Sequence, residues 1–340
     1  MTQNSFTLKT ANRACSLLYS YLLTCEKGVW LLPVNVCPDV PLTFCLAKTP
    51  FEFVDIDKDT LCIDENECIR RIASEVNKYI GIVYVRTYGY LSDISAFFEK
   101  CKILSKRIRI IDDRCLCIPD FDVEVNPLID MVLYSTGKSK QIDLGGGGIS
   151  LSKSCFNLSK DLYFDGTDEQ YLYKKAYELN SKIKSIPIGW LKISECHISD
   201  NVYFDIVNRY RNKRAEYRQM INDIYTNNLP SEIQLPSKYQ EWRFNVKVNP
   251  LLKQPIINRL FHEGLFASSH YHSANILFDD ELFPNSNKLF DEIINLFNDY
   301  NYTKEMAMKT CKIINSVLSR GGGKYDLSIN ELTPFNTNAA

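Results

Sequence analysis

"YSTGKSKQIDLGGGGI" spans residues 134–149 and sets two lysines, two positions apart, ahead of four consecutive glycines. Gly137-Lys138-Ser139 spells the last three letters of a nucleotide-binding P-loop. That loop requires G-x-x-x-x-G-K-[ST], with the glycines before the lysine so that backbone N–H groups can wrap the phosphates. The earlier glycine would fall at position 132, which is Val132 in the apolar run "MVLY". Here the glycines follow the lysines, and the P-loop reading fails.

The surrounding chain explains what the stretch belongs to. Upstream of it, short apolar runs alternate with helix-like segments. "VWLLPV" (29–34), "FEFVDI" (51–56), "GIVYV" (81–85), "RIRII" (107–111) and "DMVLYS" (130–135) read as strands. Helical periodicity is predicted over 11–25, 37–47, 65–79 and 91–104. This alternation implies an α/β fold with a mostly parallel sheet and crossover helices. In such sheets ligands sit at the carboxyl ends of the strands. Attention therefore falls on Asn35, Asp55 to Asp57, Tyr88, Gly89, Asp112, Asp113 and the opening stretch.

From about 168 to 225 the pattern is helical, broken around "SIPIGW" (185–190), and "VNRYRNKRAEYRQ" (207–219) is crowded with basic residues. "NNLPSEIQLPSKYQEW" (227–242) has two prolines and no clear period. It reads as the link between a large domain over 1–226 and a smaller α+β domain over 227–340. The second domain would hold a strand at 243–248 and helices at 288–299 and 305–318.

Bulk properties exclude several classes. The 340 residues are 45% apolar and 24% charged, ordinary for a soluble globular protein. Forty basic residues against 41 acidic ones leave a net charge of −1, so no global field favours nucleic acid or an anionic membrane. The longest apolar runs fall far short of the ~20 residues a membrane helix needs, and nothing resembles a signal peptide. The twelve cysteines are scattered without a C-x-x-C pair, as reduced thiols of a cytoplasmic protein would be. His270-Tyr271-His272 is the one close histidine pair, too little for a zinc site, and no metal is expected.

The strand ends carry a chemistry. Asp113 follows one apolar run, while Ser135 and Lys140 follow the next, with glycines behind them. A lysine amine is nucleophilic only when deprotonated. Pyridoxal phosphate takes such a lysine as a Schiff base, with an acid for its ring nitrogen and small polar groups with backbone donors for its phosphate.

The ordered pattern resembles the DegT/DnrJ/StrS sugar aminotransferases, pyridoxal-phosphate enzymes. "PVNVCPDV" (33–40), "FEFVDIDKDTLCID" (51–64), "VRTYGYLSDI" (85–94), "IIDDRCL" (110–116), "STGKSKQIDLGGGG" (135–148) and "EGLFASSHY" (263–271) are similar to six family segments in the same order. The resemblance runs from about 11 to 318. It implies the aspartate-aminotransferase fold (pyridoxal-phosphate fold type I), a large domain plus a smaller C-terminal one, working as a homodimer. Counting back from Gly147 and Gly148, it places the Schiff-base lysine at Lys140 and leaves Lys138 on a variable position. It gives Ser135 and the backbone amides of Arg13 and Ala14 to the phosphate, and Asp113 to the pyridine nitrogen.

The implied reaction moves an amino group from a small donor, glutamate in most relatives, to a keto-sugar that is usually nucleotide-linked, in amino-sugar or polysaccharide biosynthesis. The chain departs from the pattern in four places. It begins almost at the phosphate-binding turn, Asn12 stands for a glycine, Leu116 stands for Gln or His, and "GWLKISE" (189–195) is a degraded counterpart of an asparagine-bearing segment. Elimination, amination of a non-sugar ketone, and a non-catalytic relative are the alternatives. Retention of Lys140 favours transamination, since the dehydratase relatives carry histidine there.

Overall fold

Strand-forming runs of β-branched and aromatic residues fix the architecture of the computed structural model. It describes residues 6–75, 77–121, 124–158, 163–164, 182, 191–192 and 200–320. In chain order the first part comprises β1 (Thr7–Ala11), α1 (Ala14–Leu22), β2 (Val29–Pro33), α2 (Asp39–Leu46), β3 (Phe51–Val54) and α3 (Glu65–Ser74). It continues through β4 (Tyr79–Val85), α4 (Ser95–Leu104), β5 (Arg109–Asp113), β6 (Met131–Ser135) and β7 (Gly148–Ser152). These strands form one seven-stranded sheet in the order β1-β7-β6-β5-β4-β2-β3. β3, β2, β4, β5 and β6 are mutually parallel, whereas β7 runs antiparallel to both β6 and β1.

Both sheet faces are covered. Because side chains alternate along a strand, each strand divides its apolar residues between two cores. Ile82 and Tyr84, Ile110, and Val132 and Tyr134 join Cys68, Ile72, Phe97, Phe98 and Cys101 of α3 and α4. Val83 and Val85, Ile111, and Met131 and Leu133 join Leu17, Leu18, Tyr21, Val40 and Phe44 of α1 and α2. Near-continuous apolar runs are what a doubly covered parallel sheet requires.

The same alternation separates the two neighbouring acids of β5. Asp112, fully buried, turns toward the α3/α4 side, where its carboxylate accepts from Arg86 Nε at 2.6 Å and Nη2 at 3.0 Å and from Arg114 Nε at 2.8 Å. Arg114 also donates to the Tyr134 hydroxyl at 3.2 Å, and Arg86 to the Ser92 carbonyl at 2.7 Å. Two guanidinium groups on one carboxylate are tolerable in the interior only because neutral acceptors complete the set.

After an antiparallel pair of two-residue strands, β8 (Tyr163–Phe164) and β9 (Leu191–Lys192), helix α5 (Asp200–Asn228) leads into the C-terminal part, which holds β10 (Phe244–Lys247), α6 (Pro250–His262), β11 (Ala267–Ser268), α7 (Pro284–Glu292), β12 (Ile293–Leu296) and α8 (Lys304–Arg320). Its antiparallel sheet has the order β10-β12-β11. Phe244, Val246, Ile294 and Leu296 pack there with Ile221 and Tyr225 of α5, Ile256 and Leu260 of α6, and Ala307, Cys311 and Ile314 of α8.

Several elements differ from the sequence reading. The segment 288–299 is not one helix: it is the end of α7 and then the central strand β12, whose four residues are all buried. The consecutive apolar residues Ile293 and Ile294 fit a strand between two neighbours better than a helix with one wet face. β1 occupies Thr7–Ala11, so the first helix starts three residues later than periodicity suggested. β7 and α6 were not anticipated. The expected helices over 168–199 and the segment 189–195 lie outside the described residues, apart from Lys182 and the short strand Leu191–Lys192.

Replacing Asp112 with Asn leaves two buried guanidinium groups without their shared carboxylate. Asp112→Asn is expected to lower the unfolding free energy by about 3–5 kcal/mol, read as a drop in urea midpoint at neutral pH. A change below ~1 kcal/mol would show the cluster to be unimportant for the sheet.

Candidate functional site

The carboxyl ends of β2, β4, β5 and β6 open onto one region, and the chain reverses its order across the sheet there: β3 lies outside β2, and the next strand, β4, returns to the other side. Such a reversal opens a crevice between strand ends.

Asp113 ends β5 on the α1/α2 side and is 5% exposed. Its carboxylate accepts from the backbone N–H of Cys115 at 2.9 Å. Burial raises its pKa above the ordinary carboxylate value, while that hydrogen bond and the nearby charge of Lys140 lower it. Ser135 ends β6, and its hydroxyl accepts from the Gly137 N–H at 3.2 Å.

Ser135 pairs across the sheet with Gly148, the first residue of β7. Gly148 lies against the start of α1 so closely that a Cβ there would be 2.5 Å from Ala14 N and 2.7 Å from Arg13 C. Both obstacles are backbone, so only glycine permits the contact. Arg13 is the N-cap residue of α1 and forms a bridge with Gly147. Ser135 and the positive end of α1 are thus brought to one place, a suitable seat for an anion.

Lys140 lies in the loop between β6 and β7. It is half-buried, while Lys138 is exposed. The Lys140 charge reaches both Asp113 and Asp39, lowering the pKa of each against the opposing effect of burial. Asp39 opens α2 and also feels Arg13. The loop is strongly constrained. Ser139, a non-glycine residue, has φ +60°, a conformation costing on the order of 1–3 kcal/mol unless the surroundings enforce it. Its N–H donates to Asp143 Oδ2 at 2.8 Å and its carbonyl accepts from Trp242 Nε1 at 2.8 Å. The Lys140 N–H donates to the Gly137 carbonyl at 3.2 Å, and the Lys140 carbonyl accepts from Arg218 Nη2 at 3.1 Å.

The C-terminal part contributes a wall. His270 stands edge-on to Trp242 and Tyr271, with ring centroids 5.2 and 4.8 Å away. Among the described residues, its buried Nδ1 has no hydrogen-bond partner. Burial, then Arg243 and Lys140, push the imidazole pKa down to about 3, so the ring is neutral at physiological pH. Burial likewise raises the Tyr271 phenol, with Cys37, Asp113, Cys115 and Asp39 adding to the effect.

All five residues singled out from the sequence, Lys140, Asp113, Ser135, Arg13 and Ala14, lie at this end of the sheet. Sequence reasoning missed Asp39, which lies beyond the strand end in a helix start, and Trp242 and Arg218, which touch the loop from about 100 and 80 residues downstream. It passed over His270 except as a weak metal ligand. Its ring packs on Trp242 and Tyr271, whereas His272 packs on Phe290 at 4.5 Å. Among the described residues, no group of three or more His, Cys, Asp or Glu side chains could hold a metal ion, and no helix is long and apolar enough to cross a membrane.

No protein-family model matches the chain, and no curated protein is similar to it in sequence. Solved structures are similar in fold. An aminotransferase TlmJ from Streptoalloteichus hindustanus superposes with a TM-score of 0.68 at 15% identity, over 93% of this chain and 87% of that one. PseC of Helicobacter pylori, an aminotransferase involved in the biosynthesis of pseudoaminic acid, gives 0.66 at 14% identity over 93% and 87%. A DegT DnrJ EryC1 StrS aminotransferase from Brucella abortus gives 0.64 at 14% identity over 91% and 85%. At these identities the likeness speaks for architecture: the chain has the α/β fold of the pyridoxal-phosphate-dependent aminotransferases.

Proposed function

We propose that the chain is a pyridoxal-phosphate-dependent aminotransferase of the DegT/DnrJ/StrS type. In this reading it moves an amino group from a small donor such as glutamate to a keto-sugar, nucleotide-linked, as a cytoplasmic homodimer. The observation that carries the reading is the convergence of Lys140, Asp113, Ser135 and the N-terminus of α1 at the carboxyl end of the sheet.

The residues present fit the cofactor. A phosphate suits the seat formed by Ser135 and the amides of Arg13 and Ala14, where the Gly148 contact leaves no side chain in the way. A ring nitrogen suits Asp113, a buried carboxylate whose pKa burial raises and a neighbouring cation lowers. Lys140 is the half-buried amine beside both. When bound, the cofactor supplies a carbonyl and an electron-withdrawing ring. Asp113 holds a proton on the ring nitrogen, a charge-assisted hydrogen bond worth about 1.5–3 kcal/mol. The Lys140 amine would accept the proton from the amino donor's α-carbon as general base and, as its conjugate acid, would return that proton to the cofactor's carbonyl carbon. His270, neutral and with an open ring nitrogen, offers a hydrogen bond without adding charge. The fold likeness to PseC, an aminotransferase involved in the biosynthesis of pseudoaminic acid, supports a sugar acceptor, and the free thiols among the described residues suit the cytosol.

Purified chain mixed with pyridoxal phosphate is expected to develop a visible absorbance band, and borohydride followed by peptide mapping to find the label on Lys140. Label on Lys138, or none, overturns the proposal. Lys140→Ala should abolish the label and lower kcat/KM by at least about 100-fold. Incubation with glutamate and a panel of nucleotide-linked keto-sugars, read by mass spectrometry, tests the acceptor. Amination of simple ketones alone would replace the sugar reading.

A second expectation concerns pH. The folded-state pKa of His270 is depressed to about 3 from an ordinary 6.5, so the unfolded chain binds the proton more readily. Its contribution to stability is complete above pH 6.5 and is lost as pH falls toward 3, at up to about 1.4 kcal/mol per pH unit. Urea unfolding between pH 7 and 4 should show this slope for the wild type, and a shallower one for His270→Asn.

A further inference from the structure

The loop carrying Lys140 is not held by its own neighbours alone. The residue before Lys140, left-handed Ser139, gives its carbonyl to the indole N–H of Trp242 at 2.8 Å. Lys140 itself gives its carbonyl to Arg218 Nη2 at 3.1 Å, and Gln141 gives its own to the same nitrogen at 3.4 Å. The two holders are joined, because Arg218 Nη1 donates to the Trp242 carbonyl at 2.6 Å. The Trp242 ring lies parallel to Tyr88, with an interplanar angle of 4° and centroids 6.4 Å apart. The backbone N–H of Trp242 donates to the Tyr88 carbonyl at 3.3 Å, and the Tyr88 hydroxyl donates to the His270 carbonyl at 2.8 Å.

Arg218 is 5% exposed, and among the described residues its hydrogen-bond partners are the three backbone carbonyls just named and the Asn298 amide oxygen, all of them neutral. A buried guanidinium usually justifies its desolvation with a carboxylate. Here its geometry is spent on fixing carbonyls, which the planar fork does with little loss of its own freedom. Burial and the adjacent Arg243 lower its pKa to about 9, a cost that a residue of merely packing value would not carry.

We infer that Trp242 and Arg218 form a positioning clasp that fixes the backbone on both sides of Lys140 and ties that loop to the His270 wall. This rests on the role proposed above for Lys140. Neither residue touches the reacting atoms; both act through the loop. A loop lysine free to wander by an ångström would reach its carbonyl partner and the substrate carbon in fewer productive orientations, which lowers turnover more than binding.

The test uses the full chain as wild type, Trp242→Phe and Arg218→Lys. Trp242→Phe keeps an aromatic ring over Tyr88 and removes the N–H donor. In protein without cofactor, amide exchange in the peptide covering 138–142 is expected to quicken about 10-fold or more for both variants, while the peptide covering 109–113 is unchanged. In protein given pyridoxal phosphate, kcat should fall about 10- to 100-fold with KM for glutamate within twofold. Unchanged exchange in Trp242→Phe, or an equal rise in both peptides, overturns the clasp. If Arg218→Lys does not fold, Trp242→Phe decides alone. Should wild type bind no cofactor, the proposed function falls, and the exchange measurement still answers whether the loop is clasped.

Discussion

A sheet covered by helices on both faces leaves polar side chains one place to converge, at the ends of its strands. Every functional group described here obeys that constraint. Along β5, apolar residues serve the two cores until the strand ends, and there two aspartates follow each other. Alternation sends Asp112 into an ion cluster that secures the strand and Asp113 toward Lys140. One residue of register shift would exchange the two, burying the functional acid under guanidinium groups. The catalytic reading therefore depends on strand register more than on any single contact.

Electrostatics in the site are set by burial first and by neighbours second. Asp113 and Asp39 are both raised by desolvation, and Lys140 is a cation that opposes the effect in each. On the other side of the loop stand Arg218 and Arg243, with Asp299 the carboxylate that Arg243 reaches, at 3.0 Å. The amine at position 140 thus sits between carboxylates toward the sheet and guanidinium groups toward the C-terminal part. His270 stays neutral between them, consistent with its crowded, cation-rich surroundings.

Much of this was legible in the sequence because its signals are local. Apolar runs of five or six residues announced β2 to β6, and at their ends lie Asp113, Ser135 and Lys140, to which the family resemblance gave roles. What escaped was non-local. β1 and β7 pair with each other in a sheet where β7 runs against its neighbours, and "GISLS" has only two apolar residues to declare itself. β12 was read as helix because "EIINLF" also satisfies a helical period, and only its position between β10 and β11 decides the matter. Asp39, Trp242 and Arg218 reach the site through tertiary packing that no spacing encodes. Gly148 was visible as a glycine, but its reason, the backbone of Ala14 pressed against it, was not.

Helix α5 bears on how the chain could have been assembled. Tyr203 and Val207 near its beginning belong to the core under the large sheet, whereas Ile221 and Tyr225 near its end belong to the core of the C-terminal part. One continuous helix of 29 residues therefore donates apolar surface to two hydrophobic interiors. A cut at residue 226 would strip Ile221 and Tyr225 from the second interior, so the C-terminal half cut there is not a self-sufficient module. Recombination that swaps the C-terminal half between relatives would have to carry the whole helix across, or build a hybrid with a hole in its centre.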